Sequence, residues 1–283
     1  MVDFSGVAVG DLEVRWIHGE ATDPPIQTHR YDEHTYVLRQ SKTVHFEAPF
    51  LFLLFGNDRA LLLDSGATED ATSFPLRQTV DGLVSAWLED HPRDGYELVV
   101  AHTHSHGDHI AGDGQFAHRP LTTVVGVDLD AVREHFGFTD WPRQTVTYDL
   151  GGRTLDITGI PGHHPTSIAV FDHWTGFLFT GDTVLPGRFY ANDMPTFVTS
   201  MDRLLDFAQA RPVTHVLGCH IEMSRTPGHD YPRGTVYQPD EPPLQLTMRQ
   251  LRAARDASHE TATRPGIHVF DDFVVYNSPS AGA

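Results

Sequence analysis

The residues best suited to chemistry lie at 101–109, which read Ala-His-Thr-His-Ser-His-Gly-Asp-His. Ligand-type side chains stand at His104, His106, Asp108 and His109. On a helix, residues two apart diverge, so His104 and His106 can share a metal only on an extended or tightly turned segment. Gly107 permits a sharp turn, after which Asp108 and His109 can face a second point in space. A spacing of two, two and one therefore suits two neighbouring metal ions better than one. The run follows a short apolar stretch directly, the position where ligands gather in open α/β sheets.

Three further ligand candidates recur downstream. They lie in Pro161-Gly162-His163-His164-Pro165, in Thr180-Gly181-Asp182-Thr183 and in Leu217-Gly218-Cys219-His220. Each follows a strand-like stretch, and each has a glycine within two residues that lets the backbone approach closely. Alone, any one of them reads as a satisfied turn residue; with the first run they form a plausible set of seven. The other histidines read differently. On a regular strand His102 points away from His104 and takes a structural role, and His215 is a core or edge residue. His29, His34, His45 and His229 fit a solvated face better than a pocket lining. Cys219 reads as a small buried residue, with no context that would lower its pKa.

The elements that must position these residues are legible as hydrophobic patterns. Residues 1–35 are rich in Pro, Asp and Thr and read as irregular surface. Residues 50–55 and 60–63, joined by Gly56-Asn57-Asp58-Arg59, read as a hairpin buried on both faces and ending at Asp64-Ser65-Gly66. Residues 75–91 read as a helix with Leu76, Val80, Leu83, Val84 and Trp87 on one face. Strands are predicted at 98–101, 122–125, 145–150, 154–157, 167–171, 177–180 and 213–217, with Gly151-Gly152 as a hairpin turn. Helices are predicted from about His109, at 128–136 and at 201–210. Residues 222–243, with several prolines and no period, read as a long loop, either a substrate-pocket wall or a homodimer contact. Residues 244–283 read as a helix followed by one strand. The order implies mixed sheets covered by helices, an α/β layered fold in a single domain spanning 1–283.

Composition narrows the function. Twenty Lys+Arg against 38 Asp+Glu give a formal charge of −18, which disfavours nucleic acid as a partner. One cysteine excludes a disulfide scaffold. The longest apolar run, 50–55, is too short for a bilayer, so no membrane association is expected. Met1-Val2-Asp3-Phe4 opens no secretory signal pattern, so the default expectation is a soluble, cytoplasmic protein, unless a signal has been removed. Lys42 is the only lysine.

The ordered motifs His-x-His-x-Asp-His, Pro-Gly-His, Gly-Asp and a late His resemble those of the metallo-β-lactamase-fold hydrolase superfamily, over roughly residues 36–225. The resemblance implies a four-layer αββα sandwich of two mixed sheets with the site at the sheet ends. It implies two divalent metal ions: His104, His106 and His163 on the first, Asp108, His109 and His220 on the second, and Asp182 bridging. His163 is preferred to His164 because the ligand directly follows Pro-Gly. Asp64 matches a strand-end aspartate of the family, whose expected role is to orient a ligating imidazole or a neighbouring loop from outside the ligand set. Imidazole-rich sites suit zinc first, while a bridging carboxylate also tolerates iron or manganese. Two ions about 3.5–4 Å apart lower the pKa of a shared water, which attacks a carbonyl or phosphorus centre, with Asp108 as the implied catalytic proton acceptor. Asp182 argues against β-lactamase activity, the acidic surface against a nuclease, and the length against a flavin-containing oxygen reductase. What remains is a small-molecule hydrolase of esters or thioesters in the glyoxalase II-like branch. The alternatives are a lactonase, or a phosphodiesterase or phosphorylcholine esterase. The non-enzymatic alternative is a metal-containing sensor or partner-binding protein. Arg249, Arg252 and Arg255 fit either a glutathione contact or a solvated face, and Tyr190 lies eight residues past Asp182, too far to match the lactonase tyrosine cleanly.

Overall fold

Residues 50–55 alternate between two apolar surroundings, and this organises the fold. In a computed structural model describing residues 1–278, Phe50, Phe52 and Leu54 point into one buried cluster and Leu51, Leu53 and Phe55 into another. Both faces of this strand are covered, so its sheet lies inside the molecule.

The first sheet runs in the order β1 (Ile26–Asp32), β2 (Thr35–Gln40), β3 (Phe50–Phe55), β4 (Arg59–Leu63), β5 (Glu97–Ala101) and β6 (Thr122–Val124). Pairing is antiparallel through β4 and parallel from β4 to β6. On its outer face lies α1 (Leu76–Asp90), burying Leu76, Val80, Val84 and Trp87. After β5 come the single turn α2 (Gly107–Ile110), a 3-10 turn at Ala111–Gln115, and later α3 (Leu129–Phe136).

The second sheet begins with the meander β7 (Thr145–Asp149), β8 (Thr154–Gly159), β9 (Ile168–Asp172) and β10 (Phe177–Gly181). The chain then forms β11 (Arg188–Ala191) and α4 (Met194–Gln209). Next, β12 (His215–Gly218) adds parallel to β10, and the two-residue β13 (Gln245–Leu246) closes the edge. Phe52, Leu61 and Val99 of the first sheet meet Ile157, Val170 and Phe179 of the second in one core. The outer face of the second sheet packs against Phe197, Met201 and Leu204 of α4 and against Leu251 and Ala254 of α5 (Met248–Thr261). The result is a four-layer αββα sandwich of two mixed sheets.

Several details differ from the sequence reading. Residues 1–35 are not wholly irregular, because β1 pairs along the edge of the first sheet. Its residues are mostly half-exposed, so no apolar alternation marks it. The helix expected at 201–210 starts at Met194, where the Asp193 side chain accepts from the Thr196 N–H. Leu244 and Leu246 precede α5 rather than open it, and a capping box of Thr247 and Gln250 sets its start. The single strand expected after α5 is a hairpin, β14 (Gly266–Val269) and β15 (Val274–Asn277), which joins β11 in a third, small sheet.

Candidate metal centre

The predicted ligands all follow strand ends on one rim of the sandwich. His104 to His109 follow β5, His163 follows β8, Asp182 follows β10 and His220 follows β12. His106 is still extended, at φ −71° and ψ 153°, and α2 begins at the next residue. That turn separates His104 and His106 from Asp108 and His109. Two glycines let the remaining segments close in. Gly162 has φ +131°, and a Cβ there would lie 2.4 Å from the Phe197 backbone. Gly181 has φ +53°, and its Cβ would lie 2.8 Å from Thr103. Both positions demand glycine on conformation and on space.

Two adjoining groups of donors result, His104, His106 and His163 in one and Asp108, His109, Asp182 and His220 in the other. In the first, His104 Nε2, His106 Nδ1 and His163 Nε2 lie 3.0–3.2 Å from one another. In the second, His109 Nε2 is 3.4 Å from Asp108 and 3.5 Å from Asp182, and His220 Nε2 is 3.3 Å from Asp108. Asp182 faces both groups: one oxygen is 3.9 and 3.8 Å from His104 and His163, and the other 3.4 Å from His220.

The surrounding hydrogen bonds fix which nitrogens point inward. His163 Nδ1–H donates to the Tyr190 carbonyl at 3.0 Å, and His220 Nδ1–H to the Glu47 carbonyl at 2.9 Å. His109 Nδ1–H donates to Asp64 Oδ2 at 3.0 Å. Thr103 Oγ1 donates to Asp64 at 2.9 Å, so it accepts from His104 Nδ1–H at 3.2 Å. In the neutral imidazoles, Nε2 of His104 and Nε2 of His163 are therefore both lone pairs, 3.2 Å apart. Such a contact is repulsive unless a cation lies between them. Metal–nitrogen bonds of about 2.0–2.1 Å in tetrahedral array put donors about 3.3–3.4 Å apart, close to what is found. Buried Asp182 Oδ1 makes no hydrogen bond among the described residues. Lone pairs turned on one another and a buried carboxylate oxygen that makes no hydrogen bond and lies 3.4 Å from His220 Nε2 fit divalent metal ions.

The protein's own charges divide the two groups. Burial, against Asp182, holds His163 down at about 4, and burial pushes His104 well below the usual imidazole range and lowers His106. Burial would also lower His220 and His109, but the carboxylates outweigh it. Asp182 and Asp108 hold His220 up at about 9, and Asp182, Asp64 and Asp108 hold His109 well above its ordinary value. In return, and against burial, His220 and His109 hold Asp182 down at about 2 and Asp108 far below the carboxylate range.

Outside the two groups, His102 is buried and bonded to Asp113 at 2.8 Å, turned away from His104. His164 is set aside, with Nδ1 2.9 Å from Thr166 Oγ1. His34 departs from the expected solvated face. It is buried, accepts from Trp87 Nε1 at 3.0 Å, and packs against Phe4, His91 and Trp174. Cys219 is buried and donates to Asp64 Oδ2 at 3.2 Å. Arg249 and Arg252 are solvated, and Arg255 pairs with Asp202 and Asp256.

Above the donors opens a cleft of about 380 Å³, whose walls include Glu47, Tyr190, Asn192, Glu222 and Arg233. None of these five was predicted as a site residue. Glu222 and Arg233 come from the proline-rich segment 222–243, which therefore forms a wall of the cleft. Ion pairs anchor it: Arg39 to Glu241 at 2.5 Å, and Arg188 to Glu222 at 2.8 Å and to Asp230 at 2.7 Å.

With the fold and donors in place, comparison with known proteins defines the class. The family described as the metallo-beta-lactamase superfamily matches residues 47–262, and the chain belongs to it. Among curated relatives, a hydroxyacylglutathione hydrolase of a Synechococcus strain is 30% identical over 183 residues, covering 59% of this chain and 65% of that protein. A hydroxyacylglutathione hydrolase of Xanthomonas axonopodis pv. citri is 27% identical and covered to 76% on both sides. The chain thus spans just under two-thirds of the Synechococcus relative's length. In fold it is similar to the metallo-beta-lactamase FIM-1 from Pseudomonas aeruginosa, with a TM-score of 0.52 at 13% identity, over 85% of this chain and 98% of that one. The family implies divalent metal ions. Among the described residues no helix is long and apolar enough to cross a membrane.

Proposed function

We propose that this protein is a dinuclear, metal-dependent hydrolase of a small thioester or ester, with hydroxyacylglutathione-type thioesters as the first substrates to try. His104, His106 and His163 would hold one ion and Asp108, His109 and His220 the other, with Asp182, which faces both groups, as a ligand available to either. Zinc is the first metal to try, with iron or manganese as the alternatives that a bridging carboxylate tolerates. The carrying observation is that donors from four chain segments converge as two groups facing a common carboxylate on the floor of one cleft. The relatives' names support the thioester.

Divalent ions bound there supply Lewis acidity, polarising an acyl oxygen and making water nucleophilic near neutral pH. The chain's own residues do the rest. Asp64 orients His109 from behind through Nδ1 and fixes its tautomer. The carbonyls of Glu47 and Tyr190 do the same for His220 and His163. Asp108, whose side chain is 20% exposed against 13% for Asp182, is the more accessible of the two donor carboxylates and is assigned to take up and pass on the proton. Tyr190, in the cleft wall, favours a second reading, a lactone substrate with the phenol donating to its carbonyl oxygen.

The test is metal content and turnover of thioester, lactone and phosphodiester probes by wild type and His106→Ala. Two metals per chain and thioester turnover that collapses in the variant are expected. Turnover indifferent to His106→Ala refutes the mechanism, and two bound metals without hydrolysis of any probe favours a sensor.

A further inference from the structure

Two opposite charges on the cleft wall face each other without satisfying each other. Glu47 Oε1 and Arg233 Nη2 are 3.9 Å apart, beyond hydrogen-bond reach, and among the described residues neither head group makes a hydrogen bond. A well-formed guanidinium–carboxylate pair closes to about 2.7–2.9 Å. Arg233 is 74% exposed and Glu47 23%. The other cleft arginine is spoken for, since Arg188 is 4% exposed and bound to both Glu222 and Asp230.

Both residues are presented on fixed backbone. Arg233 sits in a turn in which the N–H and hydroxyl of Thr235 donate to the Pro232 carbonyl at 3.0 and 2.6 Å, with Gly234 at φ +86°. Glu47 is held through its own carbonyl, which accepts from His220 at 2.9 Å. A plain anion at Arg233 would meet the Glu47 carboxylate, and a plain cation at Glu47 would meet the guanidinium. A group carrying both signs on adjacent atoms satisfies both, and little is lost by opening so loose a pair.

We propose that Glu47 and Arg233 together read the zwitterionic end of an α-amino acid carried by the substrate, its ammonium on Glu47 and its carboxylate on Arg233. The proposal rests on the hydrolase reading above and narrows its substrate class. The test uses a hydroxyacylglutathione, its N-acetyl derivative and its monoester at the glutamyl α-carboxylate on the metal-loaded protein. Either cap is expected to raise KM about 10- to 100-fold in wild type, the range of one charge-assisted hydrogen bond. Arg233→Ala should abolish discrimination against the ester while keeping that against the N-acetyl form, and Glu47→Gln should do the reverse. Sensitivity to the ester alone makes this a simple anion site and overturns the proposal, as does equal loss on all three substrates. If none of the thioesters is cleaved, the hydrolase reading fails separately. Calorimetric binding of S-methylglutathione and its capped forms to the same proteins then decides the proposal, supported by the same crossed pattern and overturned by its absence.

Discussion

Stripping the metals and adding zinc back should release protons from one donor group and almost none from the other. In the metal-free protein at about pH 6, His163, near 4, and His104, well below the usual imidazole range, are already neutral, and His106 is lowered too, all chiefly through burial. An ion entering that group displaces next to nothing. His220, near 9, and His109, also raised, are protonated at that pH because Asp182 and Asp108 outweigh burial. Their Nε2 protons occupy the positions a metal would take, so each must leave. The sign follows directly: affinity at the His109–His220 group rises with pH, by up to 100-fold per unit where two protons are displaced, while affinity at the histidine triad stays flat. An ion already in the triad repels those protons, so the second step releases between one and two. Working near pH 6 keeps ionisation of a metal-held water, with its pKa of about 7, largely out of the count. Calorimetric titration in two buffers of contrasting ionisation enthalpy gives the proton number for each equivalent. Fewer than about 0.3 for the first and one to two for the second are expected. Equal counts, or none for the second, would refute the division of the donors into two electrostatically distinct groups.

Asp64→Asn keeps the shape, and asparagine tolerates the backbone at φ +70°. It removes the charge that orients His109, so zinc affinity at that group should fall about 10- to 100-fold in a chelator competition, and an unchanged affinity would deny Asp64 that role. Arg153 is fully buried, bonded to both oxygens of Asp172 at 3.1 and 2.6 Å, to the His34 and Phe55 carbonyls and to Thr35 Oγ1. Arg153→Met leaves a buried carboxylate without its cation and should cost about 3–5 kcal/mol in urea unfolding, partly recovered by adding Asp172→Asn. Gly162→Ala collides with the Phe197 backbone in a conformation alanine resists. It should lower Tm and, by shifting His163, weaken binding at the triad before it touches the other group; an unaltered triad would show that the close approach does not position His163.

What was legible in the sequence was local. Each ligand stands within a few residues of a strand end and of a glycine whose role the backbone explains, as at Gly162 and Gly181. Strand ends on one rim of a layered sheet must lie near one another, so the donors could be gathered without any coordinates. The cleft walls were legible only in part, since 222–243 read as either a pocket wall or a homodimer contact and no single residue of it stood out. Glu47, Tyr190 with Asn192, and Arg233 come from three separate stretches of chain, and what brings Arg233 to the others is the anchoring of 222–243 by Arg39 and Arg188, a tertiary fact with no periodic trace. His34 was misread for the same reason, since Trp87, Phe4 and Trp174 bury it from three distant segments. The start of α5 is another matter, because Thr247 and Gln250 spell a capping box that the apolar pair Leu244 and Leu246 obscured. Metal chemistry needs donors at tight spacing on stiff backbone, which leaves a mark in sequence. Substrate choice needs only that loops meet, and so it must be read from the folded chain.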